Sequence, residues 1–123
     1  MKQFTQAEEQ LMQYLWKLKK AFLKDIVDAY PEPKPAYTTI STVIRTLVKK
    51  GVVGYKTFGK SNEYYAKISK EVYFKNHLHK LVKNFFNGSY STLASFFADS
   101  GKMSVDELNA LKDLIEERIS KLN

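Results

Sequence analysis

Tyr37-Thr38-Thr39-Ile40-Ser41-Thr42-Val43-Ile44-Arg45-Thr46-Leu47-Val48-Lys49-Lys50-Gly51 separates into two unlike faces when wound at about 100° per residue. Ile40, Val43, Ile44, Leu47 and Val48 fall on one side, and Thr38, Ser41, Thr42, Arg45 and Lys49 on the other. The first side requires a core. The second combines small hydroxyl side chains, which let a helix backbone approach closely, with long cations that reach base edges or phosphates. A helix face that only met water would usually carry Glu and Lys instead. Gly51 stands where a left-handed residue commonly stops a helix. The stretch reads as a helix that enters the major groove of DNA, with a plain solvated face as the alternative.

Upstream, Thr5-Gln6-Ala7-Glu8 is a capping box that starts a helix, and Leu11, Met12, Leu15 and Trp16 recur at helical spacing to about Lys19, with Trp16 as a core anchor. A shorter helix over 23–30 buries Leu23, Ile26 and Val27, and Pro31, Pro33 and Pro35 end it. Downstream the period changes. Val52–Phe58 and Glu63–Ile68 are rich in β-branched and aromatic residues, and Gly59-Lys60-Ser61-Asn62 between them is turn chemistry. Three helices followed by a hairpin with a basic tip give the order of a winged helix-turn-helix. Tyr37 and Tyr55 suit either the core or the DNA-facing surface.

From Ser69 the chain returns to a helical pattern that runs to Asn87-Gly88, followed by a short helix over 92–98. A second capping box, Ser104-Val105-Asp106-Glu107, opens a last helix reaching Leu122. The fold expected is mainly α: a winged helix-turn-helix domain over 1–69 and a three-helix region over 70–123. Three such helices make a thin core alone, so Leu78, Leu81, Val82, Phe85, Leu93, Phe96, Phe97, Leu108, Leu111, Leu114, Ile115, Ile119 and Leu122 are expected to meet a second copy, giving a homodimer.

The charge is distributed to match. Of a net +7, residues 1–70 carry 13 Lys and Arg against 6 Asp and Glu, whereas the remainder carries 7 against 7. One part suits a polyanion and the other a protein partner. Without cysteine there is no disulfide framework, thiolate nucleophile or Cys-ligated metal. No apolar run approaches the roughly 20 residues that span a bilayer, and no signal-peptide core is present, so a cytoplasmic, unprocessed protein is expected.

Gly54-Tyr55-Lys56-Thr57-Phe58-Gly59-Lys60-Ser61 matches the phosphate-cradling G-x-x-x-x-G-K-[ST] pattern letter for letter. A strand pattern fills its variable positions and another strand follows, where a nucleotide-binding loop needs a helix. Lys60 and Ser61 are better read as a wing tip against DNA phosphate, with a solvated turn as the plain alternative. His77 and His79, two residues apart on a helix, point to different faces and make no metal site. No nucleophile–base pair or carboxylate pair emerges, so neither an enzyme nor a cofactor is expected.

Phe4-Thr5-Gln6-Ala7-Glu8 with Met12 and Leu15-Trp16, then Tyr37–Thr42, Leu47-Val48-Lys49-Lys50-Gly51 and Tyr64-Tyr65, together resemble the BlaI/MecI penicillinase-repressor family over nearly the whole chain. The resemblance implies a dimeric winged-helix repressor whose two domains occupy half-sites of a dyad-symmetric duplex operator controlling β-lactamase or related genes. It further implies relief through a membrane sensor protease or a downstream protease, with cleavage in the dimerisation region at a position corresponding to Ser95-Phe96, where the family pattern has Asn-Phe. The chain departs from the family at Ser41 and Thr46, where arginine is frequent, and its lack of cysteine excludes the copper-sensing chemistry of one branch. The DNA-contacting set expected is Thr38, Thr39, Ser41, Thr42, Arg45, Thr46, Lys49, Lys50, Lys60 and Ser61. Thr39 and Thr42 would meet the backbone or a thymine methyl, Arg45 a guanine edge, and Lys49, Lys50 and Lys60 phosphates. Release by a small ligand between the C-terminal helices, and a protein-interaction module without DNA function, are the competing readings.

Overall fold

The computed structural model describes residues 4–122. Its elements in order are α1 (Gln6–Leu18), β1 (Lys20–Phe22), α2 (Leu23–Ala29), α3 (Tyr37–Lys49), β2 (Val53–Phe58), β3 (Ser61–Ala66), α4 (Lys70–Phe85), α5 (Tyr90–Asp99) and α6 (Val105–Leu122). The fold is mainly helical with one small antiparallel sheet, a winged helix-turn-helix followed by C-terminal helices.

Both halves of the first capping box form: the Glu8 N–H donates to Thr5 Oγ1 at 3.2 Å and the Thr5 N–H to Glu8 Oε1 at 2.7 Å. Leu11, Met12 and Leu15 of α1 then pack with Ile26 and Val27 of α2 and with Ile40, Ile44 and Leu47 of α3 in one core. Trp16 lies half-buried against it, its indole N–H donating to the Ile68 carbonyl at 2.9 Å. At the end of α2, Lys34 Nζ donates to the carbonyls of Asp28 (2.8 Å) and Tyr30 (2.6 Å), satisfying groups that a helix C-terminus leaves open.

One strand, β1, has no signal in the sequence. β1 is three residues long, too short to show a period, and it forms because β3 supplies its partners: Lys20, Ala21 and Phe22 pair with Tyr65, Tyr64 and Glu63. The sheet order is therefore β1-β3-β2. β3 also begins earlier than expected, at Ser61 rather than Glu63, because Gly59 (φ +62°) and Lys60 alone make the turn between the paired Phe58 and Ser61. The chain bends from α1 into β1 at Lys19, whose φ of 71° and ψ of −55° strain any residue with a Cβ. Lys19→Gly should therefore raise the unfolding free energy by about 1 kcal/mol after allowing for glycine's greater unfolded entropy, read as a higher urea midpoint. A lowered midpoint would show that the bend carries no strain.

α3 closes as its sequence asks. Gly51 takes φ +81°, its N–H bonds the Val48 carbonyl (3.0 Å) and the Val52 N–H bonds Leu47 (3.2 Å), which is a Schellman cap.

The chain divides into two compact units, Met1–His77 and Leu78–Asn123. α4 begins inside the first: Tyr73 is buried, stacked on Phe4 at 4.2 Å, with its hydroxyl accepting from the Phe4 N–H at 3.4 Å. In the second unit, Ser89 Oγ caps α5 through the Thr92 N–H (3.1 Å), starting that helix earlier than the apolar pattern alone indicates. The Ser104–Glu107 box opens α6 with both bonds made, at 3.0 and 3.1 Å. Val82 and Leu93 are the buried apolar residues of this unit among the described residues.

Candidate nucleic-acid interface

The outer side of α3 carries Thr38, Thr39, Thr42, Arg45, Thr46 and Lys49, all exposed, while Val43 and Val48 lean on the core from its flanks. Thr42 Oγ1 donates to the Thr38 carbonyl at 2.9 Å and Thr46 Oγ1 to the Thr42 carbonyl at 3.0 Å. Each hydroxyl proton is thus used within the helix, which leaves these side chains with acceptor lone pairs and γ-methyl groups to offer. Methyl groups suit contact with thymine C5-methyls, and the lone pairs suit exocyclic amines. Arg45 is held along the helix by bonds from Nε to the Ser41 carbonyl and from Nη2 to Ser41 Oγ, both 3.3 Å. Ser41 is half-covered in consequence, and acts more as a rest for the guanidinium than as an open contact.

Lys50 does not join the free cations. Its Nζ sits 2.6 Å from Glu8 Oε1, and Glu8 is only 3 % exposed, so the ammonium expected at a phosphate instead neutralises a buried carboxylate. Burial alone would raise the Glu8 pKa; the bonds from Lys50 and from the Thr5 backbone and hydroxyl outweigh it and hold the carboxyl below its ordinary value. Glu8 Oε2 is buried without a hydrogen-bond partner among the described residues, so all of the carboxylate's protein bonds converge on Oε1. Glu8 could be identified in the sequence as a capping residue, but its link to a residue 42 positions away could not.

On the hairpin, Lys60 and Ser61 are exposed at the tip, and Tyr55 on β2 and Tyr37 at the start of α3 are each about half-exposed. The segment matching the nucleotide-loop pattern is β2, its turn and the first residue of β3, with no helix after it.

In the second unit, Val82 and Leu93, both expected at a dimer seam, are buried within the chain itself. Leu78, Leu81 and Leu108 are half-buried, whereas Phe85, Phe96, Phe97, Leu111, Leu114, Ile115, Ile119 and Leu122 stand exposed. Ser95 and Phe96 lie in the middle of α5. His77 stacks on Tyr73, and His79 Nδ1 lies 3.3 Å from the Tyr90 hydroxyl. Among the described residues no helix is long and apolar enough to cross a membrane.

The sequence pattern of the penicillinase repressor family matches residues 4–117. The penicillinase repressor of Bacillus licheniformis is 24% identical over 116 residues, covering 94% of this chain and 91% of its own. The methicillin resistance regulatory protein MecI of Staphylococcus aureus strain N315 is 26% identical over 121 residues, covering 94% and 95%. The MecI of Mammaliicoccus sciuri is likewise 26% identical over 121 residues. With the match spanning both units and every element of the winged fold, this chain belongs to the penicillinase repressor family, whose members are DNA-binding regulators and not enzymes.

Proposed function

We propose that this chain is a transcriptional repressor that binds a dyad-symmetric duplex operator as a homodimer and controls a β-lactamase or related resistance gene. The observation that carries the reading is the construction of α3: a helix locked to the core by Ile40, Ile44 and Leu47, whose other side presents threonine methyls and one pre-aligned arginine. The printed names of the relatives, penicillinase repressor and methicillin resistance regulatory protein, support the class of gene. Arg45 reads a guanine edge, Thr39, Thr42 and Thr46 meet methyls or backbone, and Lys49 and Lys60 hold phosphates.

The test is a salt series on the selected operator. With Lys49 and Lys60 from each copy covering about four phosphates, log K should fall with log salt at a slope near −3.6, at roughly 0.9 per phosphate. Arg45→Ala should remove about 1 to 3 kcal/mol of base discrimination. Lys60→Ala should weaken all sequences alike and flatten the slope by about one unit per copy. A flat salt dependence, or duplex DNA that competes poorly with an acidic protein, would favour the protein-interaction module instead.

Relief by a membrane sensor and a protease cutting near Ser95-Phe96 is the release route proposed. One observation favours a second: α5 and α6 flank a cavity of about 860 Å³ lined mainly by apolar side chains, including Leu93, Phe97, Met103, Leu108 and Ile115. A ligand seated there would compete with a second copy for the same side chains. Intact mass of the protein after antibiotic induction separates the two, since ligand release leaves the chain whole.

A further inference from the structure

The open side of the sheet is built unlike the surface of a purely structural wing. Register and the two-residue alternation of strands put Ala21, Val53, Tyr64 and Ala66 on the core side. Lys20 and Phe22 of β1, Lys56 and Phe58 of β2, and Glu63 and Tyr65 of β3 share the other. Phe58 is 48 % exposed and Tyr65 39 %, and Phe22 meets Phe58 edge-on with ring centroids 6.2 Å apart. Lys56 Nζ stands 5.4 Å from the Phe58 ring centre.

A second observation concerns Gly54, the cross-strand partner of Tyr65. A Cβ built on Gly54 would lie 2.7 Å from Tyr65 Cζ and from its hydroxyl oxygen. The tyrosine ring therefore lies down across bare β2 backbone, and any side chain at 54 would lift it off. Laying an aromatic ring along a sheet leaves a flat surface, and here such surfaces are bordered by the cations of Lys20 and Lys56, with Lys60 at the adjoining turn, against the carboxylate of Glu63 and that of Asp25, which accepts from the Phe22 N–H at 3.0 Å at the β1 edge. Flat aromatic surface edged by positive charge is complementary to unpaired bases on a phosphodiester chain: bases stack, and lysines follow the phosphates.

We propose that the outer face of β1-β3-β2 is a binding platform for single-stranded DNA, with Tyr65 and Phe58 stacking bases and Lys20 and Lys56 holding phosphates. DNA is the strand assigned because the same hairpin carries Lys60, proposed above to rest on duplex phosphate. An unpaired strand adjoining that duplex reaches this face without a second partner. The platform and α3 use different residues, so their failures can be told apart.

The experiment measures fluorescence anisotropy of labelled dodecamers of thymidylate and of uridylate, and of operator duplex, with the full chain. Expected for the thymidylate strand is binding that Phe58→Ala and Tyr65→Ala each weaken at least about five-fold, the loss of one stacked base. Both variants should leave the operator duplex within about two-fold of wild type, and Arg45→Ala should do the reverse. Gly54→Val, which lifts the Tyr65 ring, should behave like Tyr65→Ala; because it could also disturb the hairpin, its thermal midpoint is measured alongside, and the two alanine variants carry the test. The proposal is overturned if the thymidylate strand does not bind, or if its binding falls with Arg45→Ala and not with Phe58→Ala. Tighter binding of uridylate would reassign the platform to RNA, and equal displacement of the strand by polyglutamate would reduce it to a general anion surface; both outcomes overturn the assignment.

Discussion

Lys50→Met should destabilise the first unit by about 3 kcal/mol at neutral pH, the largest single-site effect expected there outside the apolar core. The reason is what the substitution leaves behind. Glu8 is enclosed, its Oε2 has no protein partner, and its Oε1 would lose the 2.6 Å ammonium that offsets the desolvation of a carboxylate. An interaction between two exposed side chains would be worth a fraction of this, but one partner here is nearly inaccessible to water.

The pH dependence distinguishes this account from simple loss of packing. In the wild type the folded Glu8 pKa lies below the ordinary 4.5, so the contribution of its ionised form is complete above that value and is lost as pH falls through the lowered one. In Lys50→Met only the Thr5 bonds still oppose burial, so the folded carboxyl titrates higher than in the wild type, and the variant recovers stability relative to the wild type as protonation removes the buried charge. The gap between the two proteins in urea denaturation should therefore be widest near pH 7 and shrink below about pH 4.5. Glu8→Gln combined with Lys50→Met should restore much of the loss at pH 7. A penalty that does not change with pH would show that Lys50 acts through its methylene stem alone.

The same pair shows what sequence patterns can and cannot carry. The two faces of α3, its Gly51 stop, both capping boxes and the change to a two-residue period at Val52 are local facts, each set by residues within a turn or two of one another. They suffice for a winged helix-turn-helix. β1 is not local in that sense: Lys20–Phe22 has no period of its own and becomes a strand because β3 offers it an edge. Neither is the fate of Lys50, which in the sequence looks like the end of a basic probe face and in the fold turns back to a carboxylate on another helix. The hydroxyl orientations of Thr42 and Thr46 fall between: back-bonding to the fourth preceding carbonyl is a known habit of threonine in helices, and it alters which hydrogen-bonding groups the face can offer. The residue types of the candidate face are thus legible in the sequence, whereas the pairing of one of its cations, Lys50, with Glu8 is not.

If the proposed homodimer closes along α6, Ile115→Asp should leave a monomer and lower the affinity for a two-half-site operator by about two to four orders of magnitude, the range over which a second linked contact multiplies affinity. α6 runs from Val105 to Leu122 without a buried residue, although Leu111, Leu114, Ile115, Ile119 and Leu122 recur along it at helical spacing. A helix of that kind gains little from one copy; most helical stability in proteins comes from covering such a stripe. Its ion pairs, Lys112–Glu116 at 3.9 Å and Glu117–Lys121 at 3.2 Å, are formed by well-exposed side chains, the first at the rim of the cavity beside α5 and the second away from the stripe. Ile115 sits between Leu111 and Ile119, one turn from each, so an aspartate there places a charge at the centre of the stripe. Because Ile115 is already about half-exposed in a single copy, the change should spare the copy's own fold and act on its pairing. Sedimentation equilibrium reads the first effect and titration with operator and isolated half-site DNA reads the second. Half-site affinity should be unchanged, since α3 and the wing are intact. A variant that remains dimeric would move the seam off α6, and one that loses half-site binding equally would show that the two units do not function separately.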